Sequence, residues 1–149
     1  MNTIAASDTI TQEIAIHGSA ERIFAALTDP RERLKWWGGP GGRFTLTDFE
    51  SDLRPGGKWT MHAESNGKIV TIRGEYRAIE PPRLLVFTWL PDWYENATES
   101  LVRWDLEEHG GVTTVRLTHS GLPTEEARNN HRGWPQILGW LQAHIEQAH

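Results

Sequence analysis

Gly133-Trp134-Pro135-Gln136-Ile137-Leu138-Gly139-Trp140-Leu141-Gln142-Ala143-His144-Ile145 is the long amphipathic stretch of the chain. Trp134, Ile137, Leu138, Leu141 and Ile145 recur at intervals of three and four, which on a 3.6-residue helix is one stripe. Pro135 cannot donate to the carbonyl of His131, so the spacing predicts a restart or bend at 133–135, then a helix from about Trp134 to Gln147. Upstream, Pro123-Thr124-Glu125-Glu126 opens an earlier helical turn.

Between Phe44 and His119 the period is two. Trp59/Met61/Ala63, Val70/Ile72/Tyr76 (with Gly74 between), Leu85/Phe87/Trp89, Val102/Trp104/Leu106 and Val115/Leu117/His119 each alternate. The opposite faces carry Thr60, His62, Arg73, Arg103, Asp105, Arg116 and Thr118, which suit water. Asn66-Gly67 and Gly110-Gly111 fit hairpin turns, while Pro55-Gly56-Gly57, Pro81-Pro82, Pro91-Asp92 and Ser120-Gly121 mark the other connections. Connections this short force antiparallel pairing, because parallel strands need long crossovers.

Ahead of this block, Ile10, Ile14 and Ile16 read as a strand. Ser19 caps a short helix whose Ile23, Phe24 and Leu27 share a face. Asp29-Pro30-Arg31-Glu32 starts a second one, with Asp at the cap, Pro first and Glu third, running to about Trp37 before glycines end it. The order is strand, two helices, six strands, long helix. A sheet with one apolar face must bury it, and the final helix is the long amphipathic partner. The reading is a single α+β domain over residues 1–149: one antiparallel sheet of about seven strands packed on a long C-terminal helix.

Composition narrows the function. At 149 residues the chain has the size of one domain, and no repeat or linker interrupts it. Net charge is −5 and the fifteen Lys and Arg are scattered, so neither nucleic acid nor an anionic membrane is an expected partner. Absence of cysteine excludes disulfides, thiolate catalysis and Cys-ligated zinc. Residues 1–11 show no signal-peptide pattern and no apolar window reaches 18 residues, so a cytoplasmic location is expected.

Motifs in this order and spacing resemble a known family. They are Lys35-Trp36-Trp37; Asp52-Leu53-Arg54-Pro55-Gly56-Gly57-Lys58-Trp59; Gly74-Glu75-Tyr76 with Ile79-Glu80-Pro81; Leu85-Val86-Phe87-Thr88-Trp89; Thr118-His119-Ser120-Gly121; and Gly133-Trp134 leading to Leu138 and Leu141. Over residues 10–147 the chain resembles the activator of heat-shock-protein-90 ATPase branch of the START-like (SRPBCC) superfamily. The resemblance implies a helix-grip fold, a curved sheet wrapped around the C-terminal helix. It implies a cavity between the two, which elsewhere in the superfamily takes lipids, polyketides and plant hormones. It also implies, as an alternative, a chaperone ATPase as partner in a stress response; the family's co-chaperones carry this domain beside a second one.

Eight tryptophans are the most prominent chemical feature. Trp59, Trp89 and Trp104 fall inward on strands, with Met61 and Phe87, and Trp134 and Leu138 fall inward on the helix. Such residues serve plain core packing or line a ligand cavity. Trp36, Trp37 and Trp93 sit beside loops, placed for a pocket mouth or a partner surface. Tyr76 and His119 are the inward polar groups, able to orient a ligand or, in a cyclase or dehydratase, to act as general acid or base. The expected ligand contacts are therefore Trp37, Trp59, Met61, Tyr76, Phe87, Trp89, Trp104, His119, Trp134 and Leu138.

Other catalytic signatures are missing from the sequence. There is no Gly-x-Ser-x-Gly elbow and no His-x-x-x-His pair with an adjacent Glu. The glycine loop 38–42 lacks the Gly-Lys-Ser/Thr ending of a phosphate cradle and precedes a strand, so it reads as a rim. Glu107-Glu108 and Glu125-Glu126 read as solvated pairs. Neither a catalytic residue nor a cofactor or metal is expected. The ligand is expected to be a small apolar molecule and the protein a monomer or homodimer.

Overall fold

The computed structural model describes residues 8–38 and 45–147. Strand β1 (Ile10–His17) leads into helices α1 (Ala20–Thr28) and α2 (Pro30–Trp36). Six strands follow: β2 (Thr45–Ser51), β3 (Lys58–Ser65), β4 (Lys68–Glu80), β5 (Leu84–Pro91), β6 (Ser100–His109) and β7 (Val112–Ser120). The chain closes with a short helix α3 (Glu125–Asn129) and the long α4 (Trp134–Gln147). The glycine loop expected as a rim lies, from residue 39 on, outside the described residues.

The seven strands form one antiparallel sheet in the order β1-β7-β6-β5-β4-β3-β2. The meander runs β2 to β7 by near neighbours, and β1 closes onto β7, so α1 and α2 carry the chain from one sheet edge to the other. Asn66 and Gly67 (φ 53° and 80°), then Gly110 and Gly111 (φ 59° and 83°), make the two tight hairpins, a backbone geometry that Asn-Gly and Gly-Gly adopt at little cost. Register shifts in β2–β3 and in β4–β5 add local twist, and the sheet curls into a half-barrel.

Capping follows the sequence. Ser19 accepts from the Arg22 N–H at 3.1 Å, and Asp29 accepts from that of Arg31 at 2.9 Å with Pro30 first in α2. Glu108, expected to be solvated, also accepts from the Ala20 N–H at 2.8 Å, tying the start of α1 to the end of β6. A carboxylate there meets the positive end of the helix.

The concave face of the sheet grips α4, whose Trp134, Leu138, Leu141 and Ile145 are buried. Met61, Val102, Val115, Leu117 and Leu141 are all fully enclosed in one continuous core. β5 departs from simple alternation: its outward Leu84, Val86 and Thr88 are buried as well. It is the middle strand, with Ala78 and Arg103 flanking Val86 in register.

Among the described residues the outer edge of β1 has no strand neighbour, and side chains of α4 reach it. Gln142 Nε2 donates to the Ala15 carbonyl at 3.1 Å, and Glu146 accepts from the His17 N–H at 2.9 Å.

Candidate functional site

A cavity of about 230 Å³ lies where the sheet and the first half of α4 diverge. Ala63 of β3, Ile72 of β4 and Trp89 of β5 form its floor. Trp134, Ile137 and Trp140 of α4 form the facing wall, Trp37 closes the α2 side, and Trp93 leans in after β5. Asn129, Asn130, His131, Arg132 and Gln136 supply its polar groups, from the α3–α4 connection and the first turn of α4. Ordering bulky indoles here is inexpensive, since a tryptophan has two χ angles and most of these are already packed by the core.

Of the residues expected to contact a ligand, Trp37, Trp89 and Trp134 line this space. Trp59, Met61, Phe87, Trp104 and Leu138 are buried in the core around it. The aromatic rings form a continuous layer: Trp59 stands 5.3 Å from Phe87 and 5.8 Å from Trp89, Trp89 5.4 Å from Trp134, and Trp134 6.1 Å from Trp104. Tyr76 is buried against Phe87 at 6.2 Å, and its hydroxyl lies 2.7 Å from that of Ser51. Burial keeps its phenol protonated, against the opposing pull of Ser51 and Arg33.

His119 is enclosed and committed on both nitrogens. Trp134 Nε1–H can only donate, so Nδ1 of His119 accepts it at 3.0 Å. Its proton therefore sits on Nε2 and is donated to Ser100 Oγ at 2.7 Å, leaving the Ser100 hydroxyl to donate to the Trp89 carbonyl at 3.2 Å. His131 is held the same way: Nε2 accepts from Trp89 Nε1–H at 3.1 Å, and Nδ1–H donates to the Ala127 carbonyl at 2.8 Å. The two imidazoles meet edge to face at 4.6 Å. Burial, then the nearness of His131, pushes His119 down to about 3. Burial also lowers His131, against the pull of its bond to Ala127. Both rings are neutral at neutral pH and neither has an uncommitted nitrogen to offer a substrate. They serve instead as acceptors that fix the rotamers of Trp89 and Trp134, two walls of the cavity.

Beyond those three, the lining includes Ala63, Ile72, Asn129, Asn130, His131, Arg132, Gly133, Gln136, Ile137 and Trp140, which were not among the expected contacts, and Trp93, expected beside a pocket mouth or partner surface. Inward alternation already placed Ala63 and Ile72, and the helix stripe placed Ile137. Nothing in the local pattern signals His131 or Arg132, which enter because the chain turns between α3 and α4. Among the described residues no three His, Asp or Glu side chains converge as a metal site, and no helix is long and apolar enough to cross a membrane.

A search of curated proteins returned no match. Among solved structures, protein CV1439 from Chromobacterium violaceum superposes with a TM-score of 0.82 at 24% identity, covering 94% of this chain and 98% of its own. CalU16 from Micromonospora echinospora gives 0.69 at 25% identity, covering 92% and 75%. DynU16, from the dynemicin biosynthetic locus, gives 0.73 at 22%, covering 93% of this chain and 47% of its own. These likenesses show the fold. The model of the family described as activator of Hsp90 ATPase homolog 1-like protein matches residues 17–146, spanning both the sheet and the helix it grips, and the chain belongs to that family.

Proposed function

We propose that this protein binds one small, compact, apolar molecule per chain in the space between sheet and α4. The observation that carries the reading is a cavity of about 230 Å³ walled by Trp37, Trp89, Trp93, Trp134 and Trp140 between sheet and helix. Its volume falls just below the roughly 300–1,000 Å³ usual for ligand pockets, which suits a fused or linked ring system better than a long acyl chain. The polar groups gather on one side, along the α3–α4 connection, so a ligand would be oriented with its polar end there. The biosynthetic setting of DynU16 fits a fold used to hold small molecules.

Titration with N-phenyl-1-naphthylamine tests this. Binding at one site per chain should quench the tryptophan emission and raise that of the probe. Ala63→Leu, which extends a side chain from the cavity floor, should weaken binding at least tenfold while the protein stays folded by circular dichroism. A probe that leaves the emission of the native protein unchanged would remove the ligand-binding reading and favour protein interaction, with complex formation with a chaperone ATPase as the next measurement.

A further inference from the structure

Arg33 is only 3% exposed, yet no carboxylate accompanies it. Nη1 donates to the Leu27 carbonyl at the end of α1 (2.6 Å), and Nε, also buried, has no acceptor among the described residues. Three rings surround the guanidinium: Trp37 at 4.6 Å, Phe49 at 4.7 Å and Trp36 at 5.9 Å from its central carbon. Ring faces and a helix C-terminus temper a buried cation without neutralising it. Burial lowers its pKa to about 10, with Tyr76 pulling the other way, so Arg33 stays charged at neutral pH. None of the residues outside the described ones is Asp or Glu, so no side-chain carboxylate there supplies the missing counter-charge.

Trp37 connects this cation to the cavity. The same indole that stacks on Arg33 lines the cavity beside Trp89 (6.5 Å) and Trp134 (6.2 Å). Arg132 stands in the lining as well, its Nε donating to Asn129 Oδ1 at 2.7 Å. The described lining includes no Asp or Glu, although the chain as a whole carries a net charge of −5. Two arginines therefore border an apolar site in an acidic protein, Arg33 buried behind Trp37 and Arg132 exposed at the polar side.

Resting on the ligand-binding reading above, we propose that the cavity selects apolar anions, compact ring systems bearing a carboxylate or sulfonate, over their uncharged counterparts. Arg132 meets the anionic group at the polar side, and Arg33 favours it through the indole of Trp37. An interior charge acts across a low-dielectric wall with little screening, so direct contact with Arg33 is not required.

The test uses two probes sharing one skeleton: 1-anilinonaphthalene-8-sulfonate and its uncharged parent, N-phenyl-1-naphthylamine. With the full-length protein, native by near-ultraviolet circular dichroism, the sulfonate should bind at least about tenfold more tightly. The preference should persist in 0.5 M NaCl. Arg132→Gln and Arg33→Met should each cut the ratio several-fold, through weaker binding of the sulfonate. Arg33→Lys should keep much of the preference. If Arg33→Met does not fold, Arg132→Gln and the salt series still decide. Equal affinities in the native protein, a preference abolished by salt, or a ratio that Arg132→Gln leaves unmoved would overturn the anion preference while leaving ligand binding in place. Binding of neither probe would remove both.

Discussion

Gly74 occupies a point where β4 and β5 almost touch. A Cβ there would lie 2.7 Å from Trp59 Nε1 and only 1.8 Å from the Thr88 carbonyl oxygen, a backbone atom that no rotamer change moves. The ladder gives way locally, and Thr88 Oγ1 accepts the Glu75 N–H at 2.8 Å in place of a backbone partner. Gly74→Ala should cost at least about 3 kcal/mol in denaturant melts, the upper end for an overpacked interior; a loss below about 1 kcal/mol would mean that the two strands separate easily. His119 gives a second measurable consequence. Its folded pKa, about 3, lies below the unfolded value near 6.5, so at pH 7 both states carry it neutral. As the pH falls below about 6.5 the unfolded chain takes up a proton that the folded chain refuses. Stability is therefore complete above that point and declines toward pH 3, by up to about 1.4 kcal/mol per pH unit. His131, lowered in the same direction, adds to the decline. Denaturation at pH 7, 6 and 5 should show this slope, and His119→Gln should make it shallower. An unchanged slope in that variant would assign the acid sensitivity elsewhere.

Among elements, α4 is the one whose orientation decides the interior. Leu138 lies in the middle of its buried stripe, at 2% exposure, and Leu138→Ala should cost about 2–5 kcal/mol. A loss under about 0.5 kcal/mol would mean that this face of α4 is turned away from the sheet. Local rules were sufficient to read most elements. Ser19 and Asp29 cap where their side chains said they would, the two glycine hairpins fall at their dipeptides, and α4 begins at Trp134 because Pro135 tolerates only the first turn of a helix. The double burial of β5 was not legible, since it arises from a central place in the sheet that its own alternation does not encode. Glu108 is similar: its role at the start of α1 depends on a partner 88 positions away.

Across the whole molecule, the location of an interior space proved harder to read than its existence. Periodicity marked which side chains turn inward, and most of those, Trp59, Phe87 and Trp104 among them, became the packed layer. The open volume instead sits at one end of α4, where Trp37, Trp89 and Trp134 meet residues from the α3–α4 connection. That position depends on how far the helix axis tilts from the sheet, a global quantity with no period. The unpaired charge of Arg33 was equally hidden, because a lone arginine in a helix gives no sign of lacking a carboxylate until every neighbour is placed.

The side chains of α4 along β1 have a consequence beyond the monomer. An open strand edge is a template on which another chain, or another copy, can lay a strand, and unchecked it seeds fibrous aggregates. Here Gln142 and Glu146 occupy the Ala15 carbonyl and the His17 N–H, so a would-be neighbour must first displace a helix anchored by four buried residues. The helix that bounds the cavity is thus also the guard of the exposed edge of β1. Any change that loosens it should turn a loss of ligand capacity into a loss of solubility.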